Sequence, residues 1–487
     1  MTPSDLAYTD LLIRIRRQSG GQDYPVEAWI NEAAHYAGGL LHVDWQLLRQ
    51  QEAEPQAYGT TLFYALLSGP IRAAYDKATG IAEAATFGRL RLRLWIDVES
   101  AELHSIAWER MHSLRAAEAS PLAVAPDLAF SRHLRRQVLE PDPVAVDTVR
   151  MLFVVANPSG LERDGLMPIG VDEELHALWQ ATRTLREGGR LQVEVFPGRS
   201  GYSGPSPEAG GDVKDVGWVV REGATTLERV LAALNEAGGY HILHLLAHGR
   251  FGGPDQTPIL LLEGADGGLR LVRGPEFAAG VGALSEQPAL VFLAACDSAR
   301  RDVSRGNAFV GLAPSLVADG VAAVVAMQDG ISMTVARALN GAFYRGLLEH
   351  GLADRALSQA RLLVYQDHAV DWSVPMLVSS RRDVRLFRGD PLRTLLRNLS
   401  ASPDLNPLPT DAAYIPLEVV LQTGRQAADS GRSVPGFAID LPDGDHSMLR
   451  AASRDAIDAV DDLMGSPVRG VVTERRVVVL RSGAGMG

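Results

Sequence analysis

Two short apolar runs each end in a residue able to do acid–base or nucleophilic chemistry. The first is Tyr240-His241-Ile242-Leu243-His244-Leu245-Leu246-Ala247-His248-Gly249, opened by Gly238-Gly239. The second is Ala289-Leu290-Val291-Phe292-Leu293-Ala294-Ala295-Cys296-Asp297-Ser298, opened by Pro288. Cys296 is the only cysteine, so it has no internal disulfide partner. Its thiol is either a buried inert group or a nucleophile. Its place at the end of an apolar run, against Asp297 and Ser298, favours the second reading. A nucleophilic thiol must be deprotonated, and a nearby imidazole is a suitable base.

Each run is too short for a typical helix and apolar on both alternating faces, which predicts a strand buried on both sides. The chain between them is long enough for the crossover that parallel neighbours require. Two parallel strands deliver His248 and Cys296 to one carboxyl edge, where open α/β sheets carry their sites. His241, His244 and His248 stand at i, i+3, i+7, which on a helix would gather three metal ligands. On a strand His241 points away from the other two, and the Glu of His-Glu-x-x-His is missing. Zinc is therefore disfavoured, and no metal or cofactor is expected. His244 is read as a core residue or a support beneath the reactive pair. The loop around Ser200 and Ser203 lacks the Gly-x-Ser-x-Gly spacing of a serine hydrolase elbow.

The pattern His244-x-x-x-His248-Gly249, followed by a strand ending Ala295-Cys296-Asp297-Ser298, resembles the CHAT domains, caspase-like cysteine peptidases of the separase-related group. The match continues through Gly311-Leu312-Ala313, Gly320 to Gln328, Phe343-Tyr344 and Asp371-Trp372-Ser373-Val374-Pro375. It covers Thr148 to Arg388 well and extends more loosely toward the N-terminus. The resemblance implies a caspase-like, mostly parallel sheet flanked by helices, with His248 as general base and Cys296 as nucleophile. The backbone N–H groups of Gly249 and Cys296 would form the oxyanion hole. The implied substrate is a protein, bound as an extended strand along the sheet edge. Asp297 and Asp329 are the candidate acidic residues of a pocket for the side chain preceding the scissile bond, favouring Arg or Lys there. Each is equally the type of residue that ends a turn. Cleavage after Arg199 or Lys214, in a loop rich in Gly, Ser and Pro, is a conceivable activation event.

The 487 residues exceed one ordinary core, so two or three domains are expected. A formal net charge of −12 leaves no basic excess to neutralise phosphates, which argues against nonspecific nucleic-acid binding. The N-terminus lacks a signal-peptide pattern and no apolar run nears the roughly 20 residues that span a bilayer, so no membrane partner is expected. One cysteine suits a reducing compartment, and a cytoplasmic location is expected.

Residues 1–145 read as an N-terminal α+β subdomain. Within it lie strands at Leu11 to Arg17 and Val26 to Ile30, helical spacing from Thr60 to Ala85 broken at Gly69-Pro70, and an alternating strand, Arg89 to Ile96. Arg89, Arg91 and Arg93 lie on that strand's open face, solvated or gripping an anionic ligand. Glu99 to Ala116 reads as a helix. Residues 146–390 read as the CHAT domain, opened by the Thr148 to Ala156 strand. In it, Thr225 starts a helix with Glu228 at capping-box spacing, and short strands at Pro258 to Glu263 and Leu269 to Val272 suggest a hairpin. Residues 391–412 read as a proline-rich linker, and 413–487 as an extension. There Arg476 to Leu480 runs into Arg481-Ser482-Gly483-Ala484-Gly485-Met486-Gly487, like a P-loop cut before its Lys.

Proteins of this resemblance join a CHAT domain to a downstream NTPase of the NACHT type, so the extension is expected to be the start of such a domain. Without the Lys no nucleotide site is assigned. A homo-oligomer formed through that later part, a role in bacterial defence or cell death, and a gasdermin-like substrate follow from the same analogy. Two other readings are a catalytically silent scaffold and a regulatory module of a downstream NTPase.

Overall fold

The computed structural model describes residues 8–17, 23–85, 88–113, 120–135, 142–202, 218–236, 238–253, 255–294, 308–367 and 370–388, together with four short strands beyond them. Met1–Arg388 forms one compact unit and Gly389–Gly487 a second. In the first unit twelve strands make a single sheet. Its first six strands, in spatial order, are Trp218–Val220, Leu191–Phe196, Val149–Val155, Ile242–Leu246, Leu290–Ala294 and Ala323–Met327. All are parallel to one another. Their near-continuous Val, Ile, Leu and Phe content is what burial on both faces demands. Helices Val171–Glu187, Leu227–Leu234, Gly274–Gly282 and Phe309–Ala318 lie between them in sequence and supply crossovers.

The sheet then reverses. Pro375–Ser379 is antiparallel to Ala323–Met327, with Met327 opposite Pro375. Leu128–His133, Arg89–Ile96 and Tyr8–Ile15 follow in parallel with it. Tyr24–Ile30 and Ala34–Leu41 close the far end as antiparallel strands. The amino ends of the second block therefore share a sheet edge with the carboxyl ends of the first. One sheet and one core run through both the N-terminal subdomain expected over residues 1–145 and the domain expected over 146–390.

Most strands and helices fall within a residue or two of their sequence reading, and three local differences have physical causes. Arg91 and Arg93 are 4% and 2% exposed, not solvated, each packed against an acidic partner. Arg91 Nε meets Asp354 Oδ2 at 2.7 Å and Arg93 Nε lies 3.4 Å from Asp10 Oδ1. The helix expected over Glu99 to Ala116 is a single turn, Ala101–His104, then a 3₁₀ turn, Trp108–Arg110, and a strand, His112–Ser113. The buried Arg132 guanidinium takes the carbonyls of His104 and Ile106, and Trp108 Nε1 donates to Leu103 O, so these groups are satisfied without helix. The cap of Leu227–Leu234 is Thr226 rather than Thr225, its hydroxyl accepting from the Arg229 N–H.

In the second unit the described strands, Val419–Gln422, Gly436–Asp440, Val468–Val472 and Arg476–Arg481, form an antiparallel sheet. The Arg476–Arg481 strand, read as the lead into a P-loop, is antiparallel to both its neighbours. The Ser482 to Gly487 stretch lies outside the described residues. No helix among the described residues is long and apolar enough to cross a membrane.

Candidate active site

His248 follows directly from the buried strand Ile242–Leu246 and begins a short strand, His248–Gly252, which turns out of the main sheet. That strand pairs with Thr257–Glu263, which pairs in turn with Leu269–Arg273. The expected hairpin is thus the outer part of a three-stranded flap rooted at His248. The imidazole is 1% exposed. Its Nε2 lies 2.9 Å from the Met167 carbonyl oxygen. A carbonyl only accepts, so Nε2 carries the proton and Nδ1 keeps its lone pair. Nδ1 is buried, with no hydrogen-bond partner among the described residues. Burial holds the ring below the usual histidine pKa, and the Met167 bond opposes that shift in part. His248 is therefore a neutral imidazole whose basic nitrogen is bonded to none of the described residues.

Met167 owes its position to Asn157, which ends the Val149–Val155 strand. The Asn157 side chain accepts from the Ile169 N–H at 2.9 Å and donates to the Ile169 carbonyl at 3.1 Å. It also donates to Ser200 Oγ at 3.0 Å. The segment carrying Met167 is pinned two residues beyond the carbonyl that His248 uses. Neither Asn157 nor Met167 is assigned a role by the sequence reading. The Asn-Pro pair at a strand's carboxyl end was the available signal, whereas a backbone carbonyl leaves none.

Gly249, the expected oxyanion donor, lies against the start of Phe309–Ala318. A Cβ there would stand 3.3 Å from Ala308 Cβ and 3.1 Å from Phe309 Cε1, tighter than ordinary contact. Gly is the type of residue that lets the strand approach so closely. Cys296 and Asp297 lie outside the described residues. The strand leading to them, Leu290–Ala294, pairs with Ile242–Leu246, the strand just before His248, with Leu246 opposite Ala294. Asp329 is exposed and its Oδ1 accepts the N–H of Gly330 at 2.7 Å, the turn-ending role that its type allows. Its neighbour Gln328, missed by the sequence reading, is held by several bonds. Its Oε1 accepts from Arg132 at 2.7 Å, while Nε2 donates to Glu109 Oε2 at 2.8 Å and to the Ser373 carbonyl at 3.2 Å.

Behind the strand ends is a cavity of about 120 Å³, bounded by Leu246, Ala294 and Met327, the last residues of three adjacent strands. Glu174 and Asn340 also line it. Burial raises the Glu174 pKa, and the Asn340 Oδ1 is buried with no hydrogen-bond partner among the described residues. His244 forms part of the inner wall. Its ring stacks on Phe292, its Nδ1 is 2.6 Å from the Tyr344 hydroxyl, and burial lowers its pKa to about 3. His241 Nδ1 accepts the Arg150 N–H at 2.9 Å. The three histidines weighed as metal ligands are thus engaged separately.

A family model described as the CHAT domain matches residues 56–414. No curated protein matches the chain in sequence. Among solved structures, two of the Saccharomyces cerevisiae separase–securin complex are similar. One has 11% identity and a TM-score of 0.32 over 66% of this chain, and the other 10% and 0.31 over 70%. The match takes in only 18% and 20% of those chains, so this chain spans about a fifth of their length. With the family model covering most of its length, the chain belongs to the CHAT-domain family.

Proposed function

We propose that the chain is a cysteine endopeptidase with His248 as base and Cys296 as nucleophile. The observation that carries this reading is the His248 ring. Its Nε2–H is committed to the Met167 carbonyl, while Nδ1 is buried and basic at the carboxyl edge of the sheet, without a partner among the described residues. Nδ1 takes the Cys296 proton, and the thiolate adds to the peptide carbonyl. The N–H groups of Gly249 and Cys296 stabilise the oxyanion. The imidazolium then gives its proton to the leaving amine, and water hydrolyses the thioester with the same ring as base. The Met167 carbonyl steadies the imidazolium while it exists.

The cavity behind Leu246, Ala294 and Met327 takes the substrate side chain preceding the scissile bond in this reading. Glu174 and the Asn340 carbonyl oxygen favour a hydrogen-bond donor there, consistent with a basic residue. Asp297 and Asp329 remain rim candidates. Control by a later NTPase domain, an oligomer, a defence role and a gasdermin-like target rest on family analogy alone. The test is N-terminal peptide profiling of a proteome incubated with the protein and with its Cys296→Ala form. New termini with the intact thiol alone are expected. Identical termini from both forms would remove Cys296 from the mechanism.

A further inference from the structure

His248 has two supports, and they meet again away from it. One is the flap, which begins at His248 and places Leu261 opposite it. The other is the Met167 carbonyl on its ring, whose segment Asn157 pins. Two residues beyond Leu261 the flap strand ends at Glu263, whose side chain is buried. Its carboxylate oxygens accept the Arg199 N–H at 3.1 and 3.2 Å and the Thr225 N–H at 2.9 Å. A carboxylate this deep needs such donors, and an ionised acceptor makes the stronger class of hydrogen bond.

The loop that Glu263 grips, Gly198-Arg199-Ser200, reaches both supports. Gly198 has a φ of +76°, and a Cβ there would collide with the Glu263 carboxylate, so glycine is what lets the loop come so close. Arg199 Nη2 donates to the Ala265 carbonyl at 2.6 Å, in the turn of the flap. Ser200 Oγ accepts from the Asn157 amide at 3.0 Å. Ser159, two residues past Asn157, donates its N–H at 2.9 Å and its hydroxyl at 3.2 Å to the Gly267 carbonyl of the same turn. A closed circuit results. It runs from His248 along the flap to Glu263, through Arg199 and Ser200 to Asn157, and by the Met167 segment back to the His248 ring.

We propose that Glu263 is a positioning residue for His248. Its carboxylate holds Gly198-Arg199-Ser200 where that loop braces both the strand that carries the base and the carbonyl that orients its ring. Glu263 acts through this circuit and touches no reacting group. The proposal rests on the reading of His248 as the base. Its geometry does not involve Cys296, so the state of the ring can be observed apart from any peptidase activity.

Nitrogen-15 spectra of the full chain with labelled histidine report which His248 nitrogen bears the proton, and His248→Gln assigns the signal. The wild-type chain is expected to show the Nε2–H form alone. Glu263→Gln keeps the side chain's size and removes its charge. It is expected to bring in an observable Nδ1–H population and to slow Cys296 alkylation about tenfold, the worth of one charge-assisted bond. Ser200→Ala, at an exposed residue, leaves the fold intact and is expected to act in the same direction by about threefold. Ser200→Thr keeps a hydroxyl and is expected to restore wild-type behaviour. A side chain that merely stabilised the fold would lower the melting temperature without moving the tautomer. Altered tautomers in the variants, with alkylation already slow in the wild-type chain, would support the circuit and count against the cysteine reading alone. A wild-type ring bearing Nδ1–H, or a pure Nε2–H signal in both Glu263→Gln and Ser200→Ala, would overturn the proposal.

Discussion

The two blocks of the one sheet are held together by opposite means. The six-strand block is apolar almost throughout, and the one ionisable side chain in the Ile242–Leu246 strand, His244, is buried neutral against Phe153, Phe292 and Tyr344. The reversed block buries Arg91, Arg93 and Arg132, with Arg361 against it, matched by Asp354, Asp10 and Glu109. The difference concerns how each block positions the active edge. Apolar strands deliver His248 by register alone, since hydrophobic packing fixes which residue ends a strand. The charged block holds Gln328 by directed bonds from Arg132 and Glu109, which fix a side chain's orientation as well. Packing sets the place, and the polar network sets the angle.

The largest expected effects come from breaking the charged block. Glu109→Ala leaves the buried Arg132 charge unpaired and is expected to cost about 3–5 kcal/mol. A urea midpoint measures this, and a loss under about 1 kcal/mol would show that the pair contributes specificity alone. Gln328→Leu is expected to be milder for stability, about 1–3 kcal/mol, because it strips partners from Arg132 and Glu109 without removing a charge.

Acid comes next. Burial lowers the pKa of His104 to about 4, of His133 to about 3 and of His244 to about 3. Each stays neutral in the folded chain while its unfolded counterpart protonates below about pH 6.5. The unfolded state then binds more protons, so stability is undiminished above pH 6.5 and falls as the pH drops from there toward 4. Each such histidine loses up to about 1.4 kcal/mol per pH unit in that window. Melting temperatures at pH 7 and pH 5 give the slope. The double change His244→Phe/Tyr344→Phe removes a matched pair, so it is expected to be close to neutral at pH 7 and to flatten the acid slope by one histidine. An unchanged slope would mean that His244 titrates normally.

Smaller still is Asn157→Ala. Losing its bonds to Ile169 is expected to cost about 1 kcal/mol of stability and about tenfold in peptidase rate, since the Met167 carbonyl no longer holds His248 in place. Equal rates would show that the Met167 segment keeps its position unaided. Glu174→Gln is expected to leave stability within about 0.5 kcal/mol while reducing any preference for a basic residue before the cut.

The sequence made the sheet legible because its strands are short apolar runs bounded by Gly and Pro, as at Gly238-Gly239 and Pro288. The strand Arg89–Ile96 was legible to the residue from its alternation. What it left unread depends on partners distant along the chain. Arg91 looks solvated until Asp354, more than two hundred residues away, reaches it. The residues 99–116 look helical until Arg132 claims their carbonyls. The place of His248 at a strand end was legible, but the group that its ring bonds was not. That group is the backbone of Met167, and a carbonyl carries no residue type.

The measurement that bears most directly on the central claim is the alkylation rate of Cys296 against pH, in the wild-type chain and in His248→Ala. Because Cys296 is the only thiol, the rate reports it alone. The account predicts a rate near neutral pH about tenfold or more above that of the variant, whose thiol ionises only near pH 8.5. Equal, slow rates that rise together around pH 8.5 would contradict it.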